Sequence, residues 1–303
     1  MHFVFEPGFF SSEPVRIALV IGGVTSVVSA IVGVFTVLRG QSFAGHALTD
    51  VATTGGSGAF YLNISPLLGF LGAGALGAGA MDAVGVQRLR GRDVATGIVL
   101  GFATGLSALF LYLDTTRRAT TGVSQQILFG SIFTLDPSTI PIVVVTSVLA
   151  LGALSVIYRP LLLSSISPDL AAARGIRTRL VGLFFILALA IAVALSSIAI
   201  GSILSTALLI GPAATALRLT KSLPSAFAWS SVIGVVATWL GVLLAYNSYY
   251  WFPSSQGLPV SFFIVALVFL TYLASGLPVL RRRTDRRSDV TVTSRDLAPV
   301  EIV

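Results

Sequence analysis

Residues 178–197 read TRLVGLFFILALAIAVALSS, and the eighteen residues after Arg179 carry no charge. An α-helix needs roughly 20 predominantly apolar residues to cross the hydrocarbon core of a bilayer, so this run is long enough to span one. Comparable runs at 15–38, 43–62, 67–86, 94–113, 139–158, 200–219, 223–246 and 259–280 take up most of the 303-residue chain. Composition agrees: 55% of residues are apolar and only 10% charged, where a soluble domain carries about 25% charged residues. Mean hydropathy is +0.93. So little polar surface cannot cover a globule in water, and lipid must be the solvent for most of the chain. The expected fold is all-α, a polytopic transmembrane helical bundle of eight or nine helices. Two spans blur the count. The 43–62 run is rich in Gly, Ala, Ser and Thr, and 200–219 follows its predecessor almost without a loop, as a tight pair or one broken helix.

Charge orients the bundle. Arg39, Arg88, Arg90, Arg92, Arg159, Arg174, Arg177, Arg179, Arg218, Lys221 and Arg281 to Arg283 all fall at ends that one alternating topology places in the cytoplasm, with Arg117 and Arg118 outside. The net charge of +7 therefore reads as membrane orientation, with no nucleic-acid partner. Residues 1–14 hold two Glu and no early Lys or Arg, which is not the pattern of a cleavable signal peptide, and are expected as an extracytoplasmic N-terminal segment. Residues 15–280 form the transmembrane domain. Residues 281–303 are expected as a basic, disordered cytoplasmic tail near anionic lipid headgroups. The absence of cysteine removes disulfides, thiolate metal sites and cysteine nucleophiles together.

Polar groups at membrane depth are costly, so the chemistry is sought there. The richest place is 45–58, where His46 and Asp50 stand four residues apart and therefore stack on one helix face, about 6 Å apart along the axis. Thr53 and Ser57 continue that stripe as candidate pathway-lining residues. Imidazole plus carboxylate is a borderline-to-hard donor pair that suits zinc or manganese. The same pair can instead be a structural clamp between helices, and the residues alone leave both readings open. Gly55-Gly56-Ser57-Gly58 has the look of an intramembrane serine protease motif. His46, eleven residues away on the same helix, stands about 16 Å from Ser57 and cannot act as its base. Asp82 is expected to pair with the Arg88–Arg92 loop, and Asp136-Pro137 reads as a turn.

A second segment lies in an expected cytoplasmic loop. Ser167 or Asp169 can cap a short helix begun at Pro168, and Gly175 can end it. On these residues alone a connector is the plainer reading.

Four motifs in order carry a resemblance. Gly45-His46-Ala47-Leu48-Thr49-Asp50 followed by Gly55, then Leu128-Phe129-Gly130, then Pro168-Asp169-Leu170-Ala171 to Gly175, and then the run from Gly201 through Leu208-Leu209 to Pro212-Ala213-Ala214-Thr215-Ala216 resemble the membrane permease subunit of the zinc/manganese class of ATP-binding-cassette metal importers, over most of 15–280. That family usually places Asp first and His four residues later. Here the order is His46 then Asp50, which groups the chain with a subset carrying the swapped form. Both orders put the same two ligand types on one helix face.

The resemblance implies a permease domain over 15–280 in the inner (plasma) membrane of a bacterium, paired with a second copy of itself. His46 and Asp50 would contact a passing zinc or manganese ion received from an extracytoplasmic metal-binding protein, with no permanently bound cofactor. The 167–177 loop would be a coupling helix that docks on cytoplasmic ATPase subunits through Pro168, Asp169, Ala171, Arg174, Gly175 and Arg177. The chain itself would not hydrolyse ATP, since its one lysine, Lys221, follows no glycine-rich phosphate loop. The competing expectation is a proton- or ion-coupled secondary transporter with His46 and Asp50 as a proton relay. Such folds often carry inverted repeats, and the two halves of this chain do not pair convincingly.

Overall fold

The computed structural model describes residues 8–84, 92–117, 122–130, 132–251 and 257–293, and these are helical with no strand among them. The order is α1 (Glu13–Leu38), α2 (Ser42–Tyr61), α3 (Pro66–Val84), α4 (Arg92–Arg117), α5 (Val123–Phe129), a 3₁₀ turn (Ile132–Thr134), α6 (Thr139–Ile166), α7 (Pro168–Ala173), α8 (Thr178–Ile200), α9 (Ser202–Leu219), α10 (Leu223–Ser248) and α11 (Val260–Thr293). Seven of these, α1, α3, α4, α6, α8, α9 and α10, are long and apolar enough to cross a membrane. That is fewer than the eight or nine expected. In α2, His46, Asp50 and the threonines and glycines around them lower the hydropathy, and in α11 the apolar part is the shorter Val260–Gly276. Counting both gives nine.

Helices α1 and α8 form the centre. Almost every residue of α8 from Phe185 to Ile200 is buried, although the helix has no polar face. It is apolar all round because neighbours surround it, as expected of a central helix. Phe35 of α1, Leu48 of α2, Met81 of α3, Leu154 and Leu161 of α6, Phe185 and Leu189 of α8 and Leu209 of α9 share one core. By contrast α4 and α6 turn Val94, Ile98, Phe102, Val145, Val148 and Val156 outward. An apolar exterior is what contact with lipid or another subunit demands.

Lipid tails are as apolar as the side chains, so helix association here depends on close approach and on hydrogen bonds between helices. Both are present. A Cβ at Gly55 of α2 would collide with the carbonyl oxygen of Gly69 of α3, so these backbones touch. Across the centre, Ser29 and Ser196 hydroxyls lie 2.5 Å apart, Ser26 and Thr238 hydroxyls 2.6 Å apart, and Ser230 donates to the Ala30 carbonyl at 3.2 Å. These polar contacts tie α1 to α8 and to α10.

The 178–219 region is a tight pair. Its two helices are separated by the single residue Gly201, and Leu189 and Leu209 both approach Gly45, so α9 returns alongside α8. Gly201 has φ 84° and ψ 158°, and Gly130, which ends α5, has φ 85° and ψ 166°. This region of backbone space is essentially closed to residues with a Cβ. The two glycines also face each other: a Cβ on Gly130 would lie 2.6 Å from the Gly201 nitrogen. The Leu128-Phe129-Gly130 motif and the start of the Gly201 motif, 71 positions apart by number (201 − 130), thus meet backbone to backbone.

Asp82 has a partner on a distant helix. Its carboxylate accepts from Arg179 of α8 at 3.3 Å, because the start of α8 packs beside the end of α3. The Arg88–Arg92 loop proposed from sequence lies outside the residues whose side chains are described. Asp136 does form the expected turn ahead of α6. Its carboxylate accepts from the Ser138 N–H at 2.8 Å. The Ser138 side chain and then that backbone N–H hold the carboxyl below its ordinary value.

Candidate functional site

Helix α2 is short of apolar residues because one face carries hydroxyls, an imidazole and a carboxylate. His46 and Asp50 are both half-buried on it, near its start. Four residues of an α-helix advance about 400°, so the stripe His46, Asp50, Thr54 drifts by about 40° at each step. The drift carries it from α9 toward α4. His46 Nδ1 lies 3.2 Å from the Thr206 hydroxyl of α9. The Thr104 hydroxyl of α4 donates to Asp50 Oδ2 at 2.5 Å. Thr54 donates to the Ala103 carbonyl of α4 at 2.7 Å. Two different helices therefore hold the two candidate ligands from opposite sides.

The sequence reading placed Thr53 and Ser57 on the same stripe. Both are buried and turn their hydroxyls onto their own helix, Thr53 donating to the Thr49 carbonyl at 2.8 Å and Ser57 to the Thr53 carbonyl at 2.9 Å. The structure brings His46 and Asp50 together with Thr54, Thr104 and Thr206, and not with these two. Thr206 carried a signal, since it lies within the quoted Gly201 motif. Thr104 carried none.

The His46 contact has a chemical consequence. A histidine that ligates a metal donates its other ring N–H to an acceptor, which fixes the tautomer and the ring plane. With the proton on Nδ1 and donated to Thr206, the Nε2 lone pair of His46 is left for an ion. Asp50 keeps one carboxylate oxygen beyond the Thr104 bond. One chain thus offers two strong donors. Among the described residues no third His, Cys, Asp or Glu joins them. Beside the pair, α9 and α11 border an apolar groove of about 360 Å³ lined by Thr206, Ile210, Ala214, Phe269 and Tyr272. A wider apolar groove of about 840 Å³ runs between α2, α3 and α4 past Thr54 and Phe102. Both open on the outside of the single chain.

The 167–177 segment folds as its caps dictate. Ser167 is the N-cap of α7, its hydroxyl accepting from the Leu170 N–H at 3.3 Å, and Pro168 occupies the first turn. At the other end the Gly175 N–H donates to the Ala172 carbonyl at 2.9 Å and the Ile176 N–H to Ala171 at 3.1 Å. Gly175, at φ 76°, supplies the left-handed residue such a stop requires. Ala171 alone is fully buried. Pro168, Asp169, Leu170, Arg174, Gly175 and Arg177 are exposed. The helix is thus hung between α6 and α8 by one small residue and presents an apolar, an acidic and two basic side chains outward.

The profile of the ABC 3 transport family matches residues 11–277. The manganese transport system membrane protein MntC of Listeria innocua is 29% identical over 235 residues, covering 76% of this chain and 80% of that protein. The high-affinity zinc uptake system membrane protein ZnuB of Haemophilus influenzae is 25% identical over 228 residues, covering 75% and 86%. Among solved structures, PsaBC from Streptococcus pneumoniae in complex with Fab superposes with a TM-score of 0.75 at 25% identity, covering 88% of this chain and 92% of that one.

Proposed function

The chain belongs to the ABC 3 transport family, and from that premise we propose that it is the membrane-spanning subunit of an ATP-driven importer that moves manganese or zinc into the bacterial cytoplasm. It is a multi-pass permease of the plasma membrane and not itself the ATPase. Cytoplasmic ATPase subunits, an extracytoplasmic metal-binding protein and a second copy of the permease complete the machine. The metal is cargo rather than resident cofactor.

The observation that carries this reading is the His46–Asp50 face of α2, held by Thr206 and Thr104. A closed structural zinc site uses four protein ligands, and a site that must release its ion cannot bind so tightly. Two donors per chain fit a transit site. A second copy related by a two-fold axis would present the same pair again, and the apolar outer grooves beside the pair suit a partner that buries them. The reversed order of the two ligands preserves the donor set while moving the carboxylate, rather than the imidazole, further along α2.

Helix α7 supplies the link to the motor. Its exposed Asp169, Leu170, Arg174 and Arg177 form a surface for the ATPase. ATP binding by that partner would displace α7 and, with it, α6 and α8, shifting the bundle between outward- and inward-open forms. The test is uptake of radioactive manganese and zinc by cells expressing the whole transporter, with His46→Ala and Asp50→Ala compared at matched membrane levels. Loss of uptake of one metal, with the ATPase still bound, is the expected result and identifies the cargo. Unchanged uptake in both variants would reduce the pair to a clamp between helices.

A further inference from the structure

Arg39 ends α1 at the side of the molecule where α7 lies. A charge there serves topology wherever its guanidinium points. Yet the side chain is folded back into the protein, half-buried. Its Nη1 donates to the Ser164 hydroxyl at 3.0 Å and the Ser165 hydroxyl at 3.2 Å, both in the last turn of α6. Those serines give their own protons to the Leu161 carbonyl, at 2.9 and 2.6 Å, which leaves their oxygens to accept from Arg39. The guanidinium carbon also lies 5.3 Å from the centre of the Phe185 ring of α8. Arg39 therefore touches both helices from which α7 is hung, two residues before the α7 cap at Ser167 on one side and within the first turns of α8 on the other.

Its backbone leads to the metal-facing helix. The Arg39 N–H donates to the Phe35 carbonyl at 2.9 Å, the Gly40 N–H to Val37 at 3.1 Å and the Gln41 N–H to Thr36 at 2.9 Å. Gln41 then accepts from the Gly45 N–H in the first turn of α2 at 3.0 Å. The turn between α1 and α2 has no slack. His46 stands about 6 Å and Asp50 about 12 Å along α2 from its first residue, at 1.5 Å per residue.

We infer that Arg39 is a positioning residue, a strut that ties displacement of α7 to displacement of α2 and so sets when the His46–Asp50 face opens. The inference rests on the importer reading above. A guanidinium suits the task because its planar array of donors holds two hydroxyls and a ring face at once. A lysine ammonium keeps the charge and the topology signal but is a single flexible point that cannot hold all three.

The test uses the complete transporter in lipid vesicles, with the ATPase subunits and the external binding protein, supplied with manganese(II) and zinc(II) in turn. ATP hydrolysis and ion uptake are read from the same vesicles. Arg39→Lys is expected to keep ATPase binding and to hydrolyse ATP within about twofold of wild type, while ions carried per ATP fall about tenfold. The double variant Ser164→Ala/Ser165→Ala shifts the ratio in the same direction with Arg39 intact. Arg159→Lys, exposed on the same helix, leaves it unchanged. An unaltered ratio in Arg39→Lys overturns the strut, as does a parallel loss of hydrolysis and uptake in both variants, which would make Arg39 a support of the fold alone. A wild-type transporter that takes up neither metal sinks the importer reading, and the strut with it.

Discussion

Replacing Thr206 by Val removes a hydroxyl from α9 and keeps the branched shape of the side chain. In the wild type that hydroxyl lies 3.2 Å from His46 Nδ1. If Thr206 accepts from Nδ1, its loss removes the acceptor that favours a proton there, and both tautomers become accessible. If the two became equally populated, only half of the population would keep Nε2 free, a factor of about two. Loss of the bond itself is worth about 1 kcal/mol, or roughly fivefold. Together they give about tenfold, the lower end of the ~10–100-fold typical for partners behind a metal ligand. The manganese or zinc concentration at half-maximal uptake should rise by that factor, with maximal uptake little changed. Thr206→Ser keeps an acceptor at the same atom and should stay within about twofold of wild type. The assay is the concentration dependence of uptake in vesicles containing the complete transporter. If Val behaves as wild type, or Ser is as impaired as Val, Thr206 does not set the tautomer of His46.

Gly201→Ala should destabilise the protein by about 3 kcal/mol or more, from a forbidden backbone conformation and collision with Leu128 and Gly130. Gly152→Ala, on α6 with open space at its Cβ, should be neutral or stabilising by about 0.5–1 kcal/mol. Thermal unfolding in detergent separates the two, and equal midpoints would refute the packing described for Gly201. Ser167→Ala removes the α7 cap at a cost of about 1 kcal/mol. Retention of the ATPase on the purified permease should weaken several-fold, and full retention would mean that α7 docks without its cap. Exchanging the ligands in His46→Asp/Asp50→His should retain most of the uptake that either single alanine variant loses. A double variant as inactive as the singles would show that depth along α2 matters more than the donor set.

Much of the fold was legible because lipid imposes a simple rule on sequence. Helices α1, α4, α6, α8, α10 and the start of α11 announce themselves by about 20 residues without charge, and α7 by local signals at Ser167, Pro168 and Gly175. Helix α5 was not legible: seven residues carry no period, and its end is fixed by a contact with Gly201 that lies far along the chain. Arg179 as a partner of Asp82 was hidden for the same reason, since only the packing of α8 against α3 places it there. At the site, His46 and Asp50 stood out because ionisable residues are rare in such segments. Threonine is common in them, so Thr104 and Thr206 became visible only when α4 and α9 were placed against α2.

The contact between Gly130 and Gly201 backs the start of α9 with main chain that cannot yield, whereas Arg218 at its other end rests on a side chain, its guanidinium 3.9 Å from the centre of the Tyr272 ring. If α9 moves as a rigid rod, that contact is its natural fulcrum. Thr206 is five residues from it, about 7.5 Å, and Arg218 is seventeen, about 25 Å. A tilt of about 10° would then shift Thr206 by only ~1.3 Å but Arg218 by ~4.5 Å at 1.5 Å rise per residue. Such a lever can swing its far end aside while its short arm still rests against His46, so the ion's grip and the opening of its exit need not change together.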